Sequence, residues 1–147
     1  MPERLGVTVT KHIISSQRNF PEATGHFSGL ISELIVAGKV IHRAVSKAGL
    51  VDVLGKTGNT NVQGEEVQKL DDFANETMQH ALLHTGRVCL VASEEDDNPI
   101  TPPEGWPTGH YVVLYDPLDG STNIDVNVSI GTIFSIHRRV SRGGASG

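Results

Sequence analysis

Apolar residues recur at helical spacing in some stretches of this chain and crowd into near-continuous runs in others, and the alternation predicts its elements. The clearest helix carries Phe27, Leu30, Ile31, Leu34, Ala37, Val40, Ile41, Ala44, Val45 and Ala48 on one face. Thr24 or Gly25 lies at its start, and Lys47 with Gly49 marks its end, a cation and a permissive residue where a helix terminates. Upstream, Val9, Ile13 and Ile14 among polar residues between Val7 and Phe20 predict a short amphipathic helix that Pro21 closes. Downstream, Val67, Leu70, Phe73, Ala74, Thr77, Ala81 and Leu82 predict a helix over Glu65–His84, with Glu65 and Glu66 in its first turn complementing the dipole and Gly86 past its end.

The continuous runs read as strands. They are Arg87–Ser93, then His110–Tyr115, which Pro117 is expected to stop just past Asp116 by removing a ladder donor, and Ser129–Val140 through Ile130, Thr132, Ile133, Phe134 and Ile136. Leu50–Gly64 is polar and rich in glycine, and is expected to be a mobile loop. Asn98–Gly109, with its prolines and glycines, is a loop returning the chain to the second strand, and Ser141–Gly147 has no apolar anchor. Helix, helix, then strands predicts an α+β layer, with helices on one face of a small sheet. Strands this apolar need cover on both faces, so partner strands outside the sequence are expected. No internal repeat and no second domain is visible.

Composition narrows the classes. A chain of 147 residues with 37 % hydrophobic content is about one globular domain with a core of its own. A formal net charge of −5 and the lack of a Lys/Arg run argue against nucleic-acid binding. The single Cys89 excludes a disulfide framework and a thiolate metal site. No apolar run is long enough for a membrane span, and the first residues lack the apolar region of a signal peptide; the expectation is a cytoplasmic protein.

Chemistry concentrates in Tyr115-Asp-Pro-Leu-Asp-Gly-Ser-Thr-Asn-Ile-Asp125. A bend between Asp116 and Asp119 can turn both carboxylates and the Leu118 carbonyl toward one point, the all-oxygen environment that Mg²⁺ prefers. Gly120-Ser121-Thr122 then offers consecutive backbone N–H groups and hydroxyls, a composition suited to binding an anion. The first strand also ends in acid, Glu94-Glu-Asp-Asp97, and like charges so concentrated are costly unless cations neutralise them. Alone, an acidic pair is most often a solvated turn and Asp-Gly-Ser a plain one; their conjunction at two strand ends favours a metal-dependent phosphatase. Asp71, near the start of the second long helix, is a candidate to accept the proton of an attacking water.

Leu70-Asp71, Ser93-Glu94-Glu95-Asp96, Asp116-Pro-Leu-Asp-Gly-Ser-Thr-Asn-Ile-Asp125 and Gly131-Thr-Ile-Phe134 together resemble class I fructose-1,6-bisphosphatase, and the likeness runs from about Thr10 to Arg139. It implies that residues 1–147 are the N-terminal half of a layered αβαβα sugar-phosphatase fold, with a C-terminal substrate domain not contained in the sequence. It further implies Mg²⁺, with Mn²⁺ as an alternative, on Glu94, Asp116, the Leu118 carbonyl and Asp119. Glu95 and Asp71 would serve a third metal and water activation, and Asp119, Gly120, Ser121 and Thr122 would hold the sugar 1-phosphate. The family also has an AMP site, whose pattern Thr24, Gly25, Ser28, Tyr111 and Arg138 fit, while His26 stands where the family often has Glu and His110 where it often has Lys. The implied reaction is hydrolysis of fructose 1,6-bisphosphate to fructose 6-phosphate, in gluconeogenesis or the Calvin cycle, by a homotetramer. Sedoheptulose 1,7-bisphosphate is a further candidate substrate. A phosphatase of the inositol-monophosphatase or bisphosphate-nucleotidase kind, and a non-catalytic effector-binding fragment, are the alternatives. With part of the site expected elsewhere, these 147 residues alone should have little bisphosphatase activity.

Overall fold

The computed structural model describes residues 6–54, 60–121 and 129–141, with side chains described outside 48–66. Three helices, α1 (Val9–Gln17), α2 (His26–Leu54) and α3 (Thr60–Leu83), precede three strands, β1 (Val88–Ser93), β2 (Tyr111–Asp119) and β3 (Gly131–Arg138). The sheet is mixed, in the order β1-β2-β3, with β1 parallel to β2 and β2 antiparallel to β3. This is the α+β layer that the hydrophobic pattern predicts.

The core forms where the stripes meet. Leu30, Leu34, Ala37 and Ile41 of α2 pack with Ala74, Met78 and Leu82 of α3 and with Val88, Val91, Val113, Tyr115 and Leu118 of the sheet. Leu30, Met78, Leu82, Val88, Val91 and Val113 are fully buried, each worth about 1.5–3 kcal/mol of transfer free energy. In register, Val91 lies beside Val113, and Val113 beside Ile136, so one row of side chains crosses all three strands. The short α1 has no buried residue; the Thr8 hydroxyl caps it by accepting from the Lys11 N–H at 3.2 Å. β1 and β2 run parallel without a helix between them. Their Glu94–His110 connection instead lays Ile100 along β1, exchanging two backbone hydrogen bonds of 2.8 Å with Val91. Leu114, Ile133 and Phe134 stay substantially exposed on the sheet, in line with strands that need more cover than these helices give.

The structure corrects several element boundaries. α2 does not end at Gly49 but runs to Leu54, and α3 starts at Thr60 rather than Glu65, so the loop expected over Leu50–Gly64 is helical on both flanks and only 55–59 lie outside the described residues. Glycine costs about 1 kcal/mol in a helix interior, too little by itself to end a helix that has residues to continue it on both sides. With the earlier start, Glu65 and Glu66 no longer fall in the first turn of α3. β2 continues through Pro117 to Asp119, because its register with β3 shifts between the Asp116–Ile133 and Asp119–Gly131 pairs and requires no N–H from the proline. β3 is shorter at both ends than the apolar run, and β1 begins at Val88.

Candidate functional site

Strand direction builds the acidic site. Because β1 and β2 are parallel, their carboxyl ends emerge at the same end of the sheet, and the Glu94 N–H donates to the Tyr115 carbonyl at 3.0 Å, carrying the ladder one step past β1. The chain then turns, with the Glu95 N–H donating to Ser93 Oγ at 3.2 Å. On β2 the Leu118 N–H donates to Asp116 Oδ1 at 3.0 Å, and Thr132 Oγ1 donates to the Pro117 carbonyl at 2.9 Å, fixing the irregular stretch between the carboxylates. Leu118 anchors that stretch with its side chain in the core, while Asp119 is exposed. Gly120 adopts φ +84°, a left-handed conformation that turns the chain out of β2 and that other residues reach only with strain.

α3 brings Asp71 to the same place. Its carboxyl is raised above the usual range, chiefly by burial; the Ser121 side chain opposes this, and the charges of Asp116, Asp72 and Glu94 add to it. Burial likewise raises Glu95, with Asp71, Glu94 and Asp116 contributing. Asp116 is also raised, by burial first, against the Leu118 hydrogen bond and together with Asp119 and Glu94. These carboxylates therefore form one electrostatic group, and Asp71 Oδ1 is buried in it without a hydrogen-bond partner. An orphaned carboxylate oxygen among mutually repelling acids suits a hard cation. Among the described residues, however, no three His, Cys, Asp or Glu side chains are drawn closely enough together to hold one ion. Gly120 and Ser121 lie beside this group, and Thr122 lies outside the described residues.

A buried polar chain, which the sequence reading did not single out, holds the acidic turn in place. Tyr115 Oη donates to Asn75 Oδ1 at 3.0 Å, Asn75 Nδ2 donates to Asp96 Oδ2 at 3.1 Å, and Gln79 Nε2 donates to the same oxygen at 2.9 Å. The one signal available was the spacing of Asn75 and Gln79, four apart on the otherwise apolar inner side of α3.

A second site lies at the other end of β2. Thr24, Gly25, Ser28, Tyr111 and Arg138, far apart in sequence, all line one cavity of about 600 Å³. Gln17 Nε2 donates to Ser28 Oγ at 2.7 Å, tying α1 to α2 across it, and the Phe27 and Tyr111 rings meet at 6.1 Å and 53° on one wall. A smaller chamber of about 100 Å³ adjoins it, sharing His26, His110 and Tyr111.

An α+β layer with coupled carboxylates at two strand ends beside a glycine turn has the features of a phosphate-handling enzyme domain that works with cations. Comparison with known proteins agrees and goes further. Residues 7–147 match the family model described as fructose-1-6-bisphosphatase, N-terminal domain. A protein of Maridesulfovibrio salexigens named fructose-1,6-bisphosphatase class 1 is 55% identical over 136 residues, covering 92% of this chain and 40% of the relative. Its namesake from Oleidesulfovibrio alaskensis is 53% identical over 141 residues, covering 96% and 41%. The crystal structure of Leishmania major fructose-1,6-bisphosphatase in holo form superposes with a TM-score of 0.75 at 35% identity, over 93% of this chain and 39% of that one. The chain belongs to the fructose-1,6-bisphosphatase family, and it spans about 40% of the length of the curated relatives it matches.

Proposed function

We propose that this chain supplies the metal and 1-phosphate part of a fructose-1,6-bisphosphatase site, in a protein that hydrolyses fructose 1,6-bisphosphate to fructose 6-phosphate and phosphate. The observation that carries the reading is the convergence of Asp71, Glu94, Glu95 and Asp116 into one electrostatic group at the ends of β1, β2 and α3. Glu94, Asp116, Asp119 and the Leu118 carbonyl would hold a divalent cation, for which Mg²⁺ is the best fit and Mn²⁺ the alternative. When bound, such ions polarise the phosphoryl group and acidify water. Asp71, held above the usual carboxylate range, is suited to accept the water's proton, and Glu95 stands beside it. Gly120, Ser121 and Thr122 would orient the 1-phosphate with N–H and O–H donors.

The larger cavity supports a regulatory site in addition. It gathers all of Thr24, Gly25, Ser28, Tyr111 and Arg138 at the start of a long helix, away from the carboxylates, and an adenine nucleotide such as AMP fits its polar rim and aromatic wall. Assembly into a homo-oligomer, a tetramer in this reading, would cover the apolar sheet residues or the surface around α1. A cytoplasmic location is part of the same proposal; no helix among the described residues is long and apolar enough to cross a membrane.

The test is titration calorimetry of Mg²⁺ and Mn²⁺ into the chain and into its Asp116→Asn and Asp119→Asn variants, coupled to phosphate release from fructose 1,6-bisphosphate by a relative-length protein carrying the same changes. Each variant is expected to lose divalent-cation affinity and at least about a hundredfold in turnover. Unchanged cation affinity in both variants refutes the assignment. Preference for an inositol monophosphate or a bisphosphorylated nucleotide would instead point to the neighbouring phosphatase groups, and nucleotide binding with no turnover to an effector-binding role.

A further inference from the structure

The last turn of α3 carries side chains that the carboxylate site does not use. His80 and His84 stand four residues apart there, a spacing that puts them on one face of the helix end. Both are exposed, and their ring centroids lie 5.0 Å apart with the planes at 44°. Two imidazoles on one metal ion, with bonds of about 2.0–2.1 Å at tetrahedral or right angles, place their centroids roughly 4.5–5.2 Å apart. The rings therefore already stand at chelating distance. His84 is also prepared as a ligand. Its Nδ1 lies 3.3 Å from the His80 carbonyl, which can only accept, so Nδ1 donates and Nε2 keeps its lone pair. The Trp106 ring meets His84 edge-on at 4.7 Å and 79°, which steadies the imidazole plane. Free carbonyls at the end of this 24-residue helix add a partial negative charge that favours a cation.

We propose that His80 and His84 form a surface site for a nitrogen-seeking divalent transition metal, Zn²⁺, Ni²⁺ or Cu²⁺, separate from the carboxylates. Imidazole nitrogen ranks these ions above Mg²⁺ and Mn²⁺, which the acids near the other end of α3 suit better. Thirteen residues separate Asp71 from His84, about 20 Å along a helix, so the two sites cannot share an ion. One helix thus offers hard cations and nitrogen-seeking cations different places. Among the described residues no third His, Cys, Asp or Glu side chain completes the set, so water or an external ligand takes the remaining positions. His80 is exposed, and its ring can rotate to present either nitrogen. A bound ion ties His80 to His84 and so holds the last turn of α3 against fraying.

The experiment uses a reporter already in the chain. Trp106 is its single tryptophan, and a paramagnetic Cu²⁺ ion on His84 quenches the emission of a ring in contact with it, whereas Zn²⁺ does not and competes for the site. Cu²⁺, Zn²⁺ and Mg²⁺ are titrated into the chain and into its His80→Gln and His84→Gln variants. Circular dichroism confirms folding, equilibrium dialysis gives the affinities, and electron paramagnetic resonance counts the nitrogen ligands of Cu²⁺. The wild type is expected to show saturable quenching that excess Zn²⁺ reverses and Mg²⁺ does not, with two nitrogens on the copper. Each variant is expected to bind Cu²⁺ at least about tenfold more weakly, since either change leaves a single imidazole. Unchanged affinity in either variant refutes the pair, because one of the remaining histidines then holds the ion. Saturable Cu²⁺ binding that leaves the Trp106 emission intact puts the ion elsewhere and also refutes it. Displacement of Cu²⁺ by Mg²⁺ as readily as by Zn²⁺ would assign the binding to carboxylates and overturn the proposal.

Discussion

Replacing Tyr115 by Phe tests whether the buried polar chain beneath the acidic turn has the energetic weight its geometry implies. The ring stays in the core, at 5 % exposure, and only the hydroxyl is lost. Asn75, 8 % exposed, then keeps its Oδ1 in the interior without the 3.0 Å hydrogen bond. Orphaning a buried amide oxygen costs about 1–3 kcal/mol, partly offset by the desolvation of a hydroxyl that no longer has to be buried, so a net loss of about 1–2 kcal/mol is expected. With a urea m-value near 2 kcal/mol/M, the midpoint should fall by about 0.5–1 M. Asn75→Ala removes the same bond from the other side and also takes away one of the two donors to Asp96, leaving Gln79, so it should cost more. The double variant should be less destabilised than the sum of the singles by at least about 0.5 kcal/mol, since the shared bond can be lost only once. Alkaline titration gives an independent reading. Burial pushes the Tyr115 phenol up to about 12, with Asp96 adding to the rise and the Ser93 and Gln79 side chains opposing it. An unfolded tyrosine releases its proton near pH ~10. Between about pH 10 and 12 the unfolded chain loses that proton first, so stability falls over this window, and Tyr115→Phe should flatten the fall. Additive single and double variants, together with an unchanged alkaline limb, would refute the argument.

Two further outcomes follow from the same geometry. Asp116→Asn keeps the Oδ1 acceptor for Leu118 but removes a charge that burial, Asp119 and Glu94 all disfavour, so the cation-free chain should melt higher with Asn than with Asp at pH 7. The sign follows from the raised carboxyl: its ionised form is the one the fold disfavours, so the difference should shrink as acid protonates Asp116, and a thermal melt series from pH 7 to 4 that shows the reverse order would overturn it. Gly109→Ala should destabilise by at least about 1–3 kcal/mol, because a Cβ there overlaps the Arg87 backbone rather than a movable side chain; denaturation at wild-type urea concentrations would show the strand entry yields more easily than the structure indicates.

The core was legible in the sequence because its signal is local. Leu30, Leu34, Ala37 and Ile41 declare a helix face by spacing alone, and the apolar runs of β1 and β2 declare strands. What the sequence hid depended on partners. Gly49 and Gly64 read as punctuation, yet helical turns on either side carry the chain through them, and Pro117 read as a stop although the shifted register of β3 requires no donor from it. The same holds for function. Asp116-Pro-Leu-Asp119 and Glu94-Glu95 announced themselves as carboxylate-rich strand ends, and the resemblance supplied Asp71, whose carboxyl looks ordinary until burial and three neighbouring acids raise it.

The parallel pairing of β1 with β2 also sets how this domain is assembled and how it can change. A tight hairpin between the same two segments would close a shorter loop and form sooner, but it would place the carboxyl end of β1 about 20 Å from that of β2, at opposite rims of the sheet. The slower, longer connection keeps the acids on one rim regardless of what the connection contains. Between Ile100 and Gly109 the buried Pro102 and the Trp106 ring, edge-on to His84 at 4.7 Å, pin the chain further, so the exposed turn around Glu104 and Gly105 is where insertions can add new surface while the acidic rim stays in register.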